Sequence, residues 1–361
     1  MDNINRYFAA TYTQARAKFL AAAQRRRLPV ETIANPLKGA EGEALATDAV
    51  ILGVADAPSL LVITSGTHGV EGFCGSGCQG ALLEDEGMAK RIEAAGVAVL
   101  LVHAVNPYGF SHLRRVNEDN VDMNRNFRDF ADTTELNPAY AQVHDLMLPP
   151  EWPPTDANRA AIYAAIGRMG MPALQSAVTA GQRSHKDGLF YCGSAPTWSN
   201  RTIRSLLRKH GAGRKRIGWI DIHTGLGPCG HGEKIFAGAN DAAELARARA
   251  FWGADIMSYY EGKSASAEVQ GSMVMSIYAE CPQAEVTGMG LEFGTVPFEA
   301  VLGALRGDLW LALHPEADPA RRDAIRRGMR DAFYIDTGEW KAMVLGQSRV
   351  AVLQAVLGLS A

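Results

Sequence analysis

Two polar segments of the sequence carry side chains of the types that bind zinc in proteins. His68 and Glu71 lie three residues apart in a glycine-rich segment that follows the apolar run 60–64, and His223 follows the mostly apolar segment 217–222. Imidazole nitrogens and carboxylate oxygens are zinc ligands, and a catalytic zinc site uses three protein ligands and keeps one position open. The three side chains are therefore candidate ligands of one zinc ion.

Each of these patterns has another explanation when it is taken alone. A helix-capping Glu71 beside a polar loop histidine would give the same spacing, and His223 would suit a hydrogen-bonded histidine at a strand end. Residues 225–230 match G-x-G-x-x-G after a strand. However, Pro228 and the residues after it do not open a helix, and a dinucleotide pyrophosphate rests on a helix N-terminus. We therefore expect no dinucleotide site.

A glutamate, Glu292, interrupts the otherwise apolar segment 290–294, which reads as a strand. Burying a carboxylate is costly unless it is paired or functional. A general base that takes a proton from water belongs at such a position, because the surroundings can tune its pKa. Glu292 is therefore a candidate base, with a structural ion pair as the alternative.

One short segment holds the densest set of polar side chains, namely Arg114, Arg115, Asp122, Asn124 and Arg125. A guanidinium can hold a carboxylate through two parallel hydrogen bonds. Arginines interleaved with asparagine therefore indicate a cradle for an anionic group of the substrate. A solvated, salt-bridged loop is the alternative.

The surrounding segments predict an α/β fold with a mixed, mostly parallel central sheet flanked by helices. The run 97–105 is apolar throughout, as in a strand covered on both faces, and a helical stretch at 75–95 joins it to the strand at 60–64. Other strands are predicted at 49–54, 216–222, 234–236 and 290–293. Other helices are predicted at 3–27, 241–253, 298–313, 319–333 and 341–357.

A long stretch at 131–215 is predicted to be a mostly helical insertion in a single catalytic domain spanning residues 1–361. Helices are expected at 157–168, 172–183 and 199–210, separated by proline-rich turns. We expect this insertion to shape or cover the cleft.

The composition, 47% hydrophobic and 21% charged over 361 residues, is that of a soluble globular protein. A formal net charge of -3, with both signs mixed along the chain, gives no reason to expect a nucleic-acid or membrane partner. Five scattered cysteines and a charged N-terminal segment without an apolar run predict a reducing compartment, and we expect the cytoplasm. The oligomeric state stays open.

Taken in order, these segments resemble the zinc metallocarboxypeptidase superfamily and its deacylase relatives, and most closely the bacterial branch called DUF2817. The resemblance covers roughly residues 45–300. It rests on H-x-x-E, N-P-x-G, D-x-N-R-N-F, a distal strand histidine and a strand glutamate in that order. The resemblance implies the zinc carboxypeptidase fold and hydrolysis of an amide bond next to a free carboxylate.

The resemblance also implies roles for individual residues. His68, Glu71 and His223 match the zinc ligands. Asp122 matches an aspartate that hydrogen-bonds the first histidine and fixes its tautomer. Glu292 matches the residue that takes a proton from water and later delivers it to the leaving amine.

The substrate would be held by the residues of the polar segment. Asn124 and Arg125 match a pair that clamps the terminal carboxylate. Arg115 stands at the position of an arginine that polarises the scissile carbonyl, although Arg114 is not separated from it by the sequence.

The substrate itself is not readable from the sequence. Digestive relatives have a mobile tyrosine ahead of the glutamate, and three residues here are candidates for it: Tyr259, Tyr260 and Tyr278. The first expectation is removal of a C-terminal residue from a peptide, and the second is deacylation of an N-acyl amino acid or a small modified amide. A non-catalytic ligand-binding protein is a third reading, which the presence of Glu292 disfavours.

Overall fold

A computed structural model describes residues 4–132, 134 and 137–360 of the chain, which form a mixed sheet of seven strands. The strands are β1 (Val30–Lys38), β2 (Ala44–Gly53), β3 (Ser59–Thr64), β4 (Val97–His103), β5 (Arg216–Gly225), β6 (Gly232–Phe236) and β7 (Glu285–Gly294). The predicted α/β class with a mixed, mostly parallel sheet is confirmed.

Helices lie before β1, between β3 and β4, between β4 and β5, between β6 and β7, and after β7. In the described residues they are α1 (Tyr12–Arg25), α2 (Gly72–Glu84), α3 (Glu86–Ala94), α4 (Pro107–Ser111), α5 (His144–Met147), α6 (Asp156–Met169), α7 (Met171–Thr179), α8 (Trp198–Gly211), α9 (Ala242–Trp252), α10 (Ser276–Glu280), α11 (Phe298–Leu313), α12 (Pro319–Phe333) and α13 (Gly338–Ser360). Short 3-10 turns lie between several of them.

The strand order across the sheet is β1-β2-β4-β3-β5-β7-β6. The four central strands β4, β3, β5 and β7 are parallel, whereas β2 and β6 run antiparallel to the central strands that they pair with. The carboxyl ends of β3, β5 and β7 therefore meet at one edge of the sheet, which is where open α/β sheets place their sites.

Both faces of the central strands are buried, as their apolar sequences predict. In β3, Leu61 and Ile63 pack into the larger core with α1, α2 and α13, whereas Leu60 and Val62 pack into a second core with α8 and α10. Successive side chains of a strand point to opposite faces, so a strand in this position must be apolar at every residue.

Two predicted elements differ from those in the structure. The helix expected at 3–27 is shorter, and β1 forms along a segment for which no strand was predicted. β1 is an edge strand whose register is irregular between Ala34 and Lys38, and this tolerates Pro36, which lacks an N–H group.

The helix expected at 75–95 is in fact two helices, α2 and α3. The break lies at Asp85, whose side chain accepts a hydrogen bond from the backbone N–H of Met88 and so caps the second helix. The chain can therefore turn between two helices that both cover the sheet.

Three helices of the stretch 131–215 lie where they were predicted, as α6, α7 and α8, although α7 ends at Thr179. The loop between α7 and α8 returns to the sheet edge, where Tyr191 forms bridges with Val121 and Gln182. The interpretation of this stretch as an insertion in one domain stays a prediction.

The last helix, α13, is long and apolar enough to cross a membrane by length and composition alone. It packs against β3, β5, α2 and α9 and buries one face, which includes Trp340, Val344 and Val352. A core helix of a soluble protein has the same properties, and this fold is of the soluble type. The cytoplasmic location stays a prediction.

Candidate active site

The first histidine and glutamate lie on the loop that follows β3. His68 precedes a 3-10 turn over Gly69–Glu71, and α2 begins at the next residue. This turn packs directly on α4, because a Cβ on Gly69 would lie 2.1 Å from the carbonyl carbon of Gly109. Glycine is required for this close approach, which joins the H-x-x-E and N-P-x-G segments.

The structure brings His68, Glu71 and His223 together, although they come from a loop and a distant strand. Nδ1 of His68 lies 2.9 Å from Oε1 of Glu71, and Nδ1 of His223 lies 3.0 Å from Oε2. One potential ligand atom from each residue lies within 4.8 Å of the others, and all three side chains are buried. Two imidazoles and one carboxylate are the donor set of a catalytic zinc site.

Each histidine presents Nδ1 to the shared glutamate and has an aspartate at its other nitrogen. Nε2 of His68 lies 3.1 Å from Oδ1 of Asp122, and Nε2 of His223 lies 2.7 Å from Oδ2 of Asp221. An aspartate that accepts the Nε2 proton leaves the Nδ1 lone pair for a metal ion. The three residues therefore fit zinc, and the role of Asp122 in fixing the tautomer of His68 stays a prediction.

Asp221 was missed in the sequence, although its signal was present. It lies two residues before His223 on β5, and side chains two residues apart on a strand share one face. Its other oxygen, Oδ1, accepts hydrogen bonds from the hydroxyls of Thr64 (2.7 Å) and Thr67 (2.8 Å). These bonds fix the carboxylate that orients His223.

Charges inside the site shift the pKa of several groups. Burial alone would raise the pKa of Asp122, but Arg115 and His68 hold it well below its usual value. Burial alone would lower the pKa of His223, but the carboxylates of Asp221 and Glu71 raise it well above its usual value. The site is therefore a cluster of cationic and anionic groups. A bound metal cation would add further positive charge beside Glu71.

Glu292 lies on β7 directly beside His223 in the parallel register with β5. Its Oε1 accepts a hydrogen bond from the backbone N–H of Leu226 at 2.9 Å. Burial, followed by the negative charge of Glu71, raises the pKa of Glu292 to about 7. A carboxyl group with such a pKa can both take and return a proton near neutral pH.

The two arginines that the sequence did not separate have different surroundings. Arg114 is buried, and its Nε lies 3.1 Å from both carboxylate oxygens of Asp308, away from the histidines. Arg115 lines the cavity, and its nitrogens donate to Asp122 (2.9 Å) and Glu71 (3.1 Å). The geometry thus favours Arg115 as the arginine that faces a substrate.

Asn124 and Arg125 line the same cavity. Arg125 is buried, and its Nε and Nη2 donate to the carbonyl oxygen of Thr179 at the end of α7, while its Nη1 donates to that of Asn124. These three bonds leave two of the five N–H donors of a guanidinium for a ligand. Oδ1 of Asn124 accepts from the backbone N–H of Met273 at 2.8 Å, which fixes the amide plane.

The structure separates the three candidate tyrosines. Tyr259 lines the cavity. The ring of Tyr260 packs against the ring of Tyr259, with 4.4 Å between the ring centroids. Tyr278 bonds instead to Glu244 at 2.6 Å and to the backbone N–H of Ala239. Tyr259 is therefore the candidate that can reach a ligand.

The cavity has a volume of about 120 Å³ and reaches from the histidines to the loop before α10. Apart from the polar groups described above, its walls are largely apolar or small, and they include Ile235, Ala237, Val269, Val274 and Gly290. Gly290 lies two residues before Glu292 and leaves open space in front of His223, whose Cδ2 would be 3.9 Å from a Cβ there.

Several solved structures align with this chain at low sequence identity. Thrombin activatable fibrinolysis inhibitor aligns with a TM-score of 0.52 and 13% identity over 98% of this chain and 75% of its own. The carboxypeptidase A of Helicoverpa armigera aligns with a TM-score of 0.44 and 14% identity, over 90% of this chain and 74% of its own. A metallo-carboxypeptidase of Burkholderia cenocepacia aligns with a TM-score of 0.42 and 14% identity, over 90% of this chain and 69% of its own. The first of these likenesses shows the fold.

No curated protein matches this sequence. The family described as Protein of unknown function (DUF2817) matches residues 8–347, which is nearly the whole chain. The expected DUF2817 resemblance is confirmed: the chain belongs to the DUF2817 family, and its fold is similar to that of thrombin activatable fibrinolysis inhibitor.

Proposed function

We propose that this protein is a zinc-dependent amide hydrolase of metallocarboxypeptidase type, which removes the C-terminal residue of a peptide. One observation carries the proposal. A buried donor set of His68, Glu71 and His223 lies beside Glu292, a carboxyl group on the neighbouring strand with a pKa raised to about 7. A structural ion pair needs neither the second histidine nor a raised pKa.

His68, Glu71 and His223 would hold one zinc ion. Zinc, when bound, supplies Lewis-acid chemistry that lowers the pKa of water towards about 7 and polarises a carbonyl group. Asp122 and Asp221 keep the two imidazole rings in the orientation that exposes Nδ1.

Glu292 handles the protons in the proposed reaction. Its carboxylate accepts a proton from the attacking water, whose oxygen forms the new bond to the carbonyl carbon. As the C–N bond breaks, Glu292 delivers that proton to the leaving amine, so that its side chain is again a carboxylate. A pKa of about 7 suits both transfers.

Arg115 stabilises the negative charge that develops on the carbonyl oxygen. Its guanidinium lies at the edge of the donor set, held by Asp122 and Glu71. A donor that is already oriented does not have to reorganise during the reaction, which is why such groups contribute strongly to catalysis.

Arg125 and Asn124 hold the carboxylate of the substrate. The bonds from Arg125 to Thr179 fix its guanidinium while two N–H donors stay available. A substrate whose carboxylate is bound by Arg125 and Asn124 would have its neighbouring amide bond directed towards Glu292, because all three residues line the same cavity.

The side chain of the released residue would lie against Ile235, Val274 and Gly290. Asp221 also borders the cavity, but its oxygens are bonded to His223, Thr64 and Thr67. Apart from Glu292, which the proposed reaction uses, the described walls thus offer no free carboxylate for a basic side chain, and we expect an uncharged residue.

A second candidate is a deacylase of N-acyl amino acids or of a small modified amide. The volume of about 120 Å³ favours it, because cavities that enclose larger ligands are usually about 300–1,000 Å³. Both activities need the same base and carboxylate clamp, so only the acyl side of the substrate separates them.

A substrate panel tests the proposal. The zinc-loaded protein is incubated with acylated dipeptides and with N-acetyl amino acids, each ending in leucine, phenylalanine, lysine or glutamate, and the released amine is measured before and after chelation. We expect chelator-sensitive release, fastest from uncharged residues. Release from N-acetyl amino acids alone would select the deacylase. No release from any substrate would overturn the proposal and favour a binding protein.

A further inference from the structure

A phenylalanine from the loop between α7 and α8 lies against both substrate-facing arginines. The centroid of the Phe190 ring is 5.1 Å from Cζ of Arg115 and 5.2 Å from Cζ of Arg125. The ring is buried and lines the same cavity as the two guanidiniums. A guanidinium over an aromatic face within about 6 Å is attracted by the negative potential of that face.

The backbone of Phe190 adopts an unusual conformation for a bulky residue, with φ at +53°. The bonds around it impose this turn. The N–H of Leu189 donates to the hydroxyl of Tyr140, and the carbonyl oxygen of Phe190 accepts from the N–H of Gln182 at 3.1 Å. Such conformations persist only where the surroundings determine them, and they cluster at functional sites.

The loop is also bonded to the segment that carries the arginines. The backbone N–H of Asp122 donates to the carbonyl oxygen of Tyr191 at 2.9 Å. The left-handed turn at Phe190 therefore places its ring beside the guanidiniums of Arg115 and Arg125.

The two arginines repel each other, and Asp122, which bonds Arg115 at 2.9 Å and lies 3.9 Å from Arg125, offsets part of this repulsion. Burial lowers the pKa of Arg125 to about 10, and the positive charge of Arg115 acts in the same direction while Asp122 opposes it. An aromatic ring with a negative face attracts both cations without adding a further carboxylate that would compete with the substrate for their N–H donors.

We propose that Phe190 is a positioning residue that holds Arg115 and Arg125 in the orientation that receives the substrate, an inference that rests on the function proposed above. The stretch 131–215 then contributes to the reaction through this ring, as well as enclosing the cavity. The alternative is that Phe190 only fills space between the loop and the sheet.

A double-mutant cycle separates these two roles. Binding of N-acetyl-L-leucine is measured by calorimetry on zinc-loaded protein that carries Glu292→Gln, so that the probe is not consumed. Phe190→Leu should weaken binding about 5- to 30-fold, the range of a desolvated cation–aromatic contact. In an Arg125→Ala background the same substitution should change binding less than about twofold, because the group through which it acts is gone.

Three further variants complete the test. Phe190→Tyr should restore binding, since it keeps the ring. Phe190→Asn removes the ring but tolerates the left-handed backbone, so it should behave like Phe190→Leu even if the leucine variant folds poorly. Tyr191→Leu truncates the neighbouring aromatic of the same loop, which packs with Val121 and Met123 instead, and should leave binding unchanged.

The outcomes are distinct. Additive losses in the cycle, an equal loss in Tyr191→Leu, no restoration by tyrosine, or no binding of the probe by the parent protein would each overturn the positioning role. If the cycle shows coupling but the protein with Glu292 intact hydrolyses none of the panel, the proposed function fails while the positioning of the arginines stands.

Discussion

The two halves of the site are held in place by different means. Asp221, His223 and Glu292 form the strand half, on β5 and β7, and the hydrogen-bond ladder between the two strands fixes their relative positions. Asp221 and His223 share a face through the two-residue repeat of a strand, and His223 and Glu292 are neighbours in register. Little beyond the sheet is needed to align these side chains.

The loop half consists of His68, Glu71, Arg115, Asp122 and Arg125. Here the alignment comes from bonds between loops. The carbonyl oxygen of Arg115 accepts from the N–H of Gly69, and the side chains of Arg115, Asp122, His68 and Glu71 contact one another. A change at one of these residues therefore reaches the others.

This difference predicts that substitutions in the two halves act in different ways. Substitutions in the strand half should act locally, on one step or one ligand. Substitutions in the loop half should be coupled, so that their effects do not add. The predictions below run from the largest expected effect to the smallest.

Removal of the proposed base, Glu292, in the strand half should have the largest effect. Glu292→Gln should lower kcat about 10²- to 10⁴-fold, because the amide cannot take the proton from water, while zinc content and thermal stability stay unchanged. Glu233→Gln is a matched control, since Glu233 faces Glu292 across the β6–β7 register but does not line the cavity. A variant with substantial kcat would show that another group is the base.

Substitution of Arg115 in the loop half should have the second largest effect. Arg115→Ala should lower kcat about 10²- to 10³-fold, the effect of losing one preoriented donor to a developing oxyanion. Because Arg115 also bonds Asp122 and Glu71, zinc affinity should fall as well, unlike in Glu292→Gln. Full zinc affinity and full kcat in Arg115→Ala would contradict the coupling of the loop half. Kinetics and zinc titration on the same preparation provide the comparison.

Substitutions of Asp221 and Asp122, one aspartate from each half, compare the two halves most directly. Asp221→Asn and Asp122→Asn should each weaken zinc binding about 10- to 100-fold, because the amide no longer orients the histidine. Asp122→Asn should also lower kcat in zinc-saturated protein, since Asp122 holds Arg115, whereas zinc-saturated Asp221→Asn should keep most of its kcat. Equal kcat in both variants under saturating zinc would remove the distinction between the halves.

The smallest expected effect is the pH dependence of the strand half. Burial and the charge of Glu71 raise the pKa of Glu292 to about 7, so the carboxylate needed as base is lost as the pH falls below that value. We expect kcat/KM to fall about tenfold per pH unit below pH 7, with zinc content measured at each pH. A profile that is flat from pH 5 to 7 would contradict the assignment.

The sequence predicted the central strands and several helices. The central strands, which are apolar almost throughout, and the helices α6, α8, α11 and α12 lie close to their predicted positions. β1 was missed, because an edge strand is largely exposed and this one contains Pro36. Its formation depends on pairing with β2, which no local pattern shows.

The candidate site was predicted in the same uneven way. His68, Glu71, His223 and Glu292 stand out because polar groups follow or interrupt apolar strands, and the structure brings them together. Asp221 was hidden inside a strand, although its spacing from His223 marks it. Phe190 has no local signal at all, since its contacts depend on how the loop between α7 and α8 returns to the sheet edge.

Metal content tests the central claim most directly. Elemental analysis of the purified protein should give about one zinc per chain, with zinc lost in His68→Ala and His223→Ala and kept in Glu292→Gln, which alters the same cavity without removing a ligand. This result would tie both halves of the site to one ion. A protein without bound metal that also takes up no zinc on titration would contradict the hydrolase account.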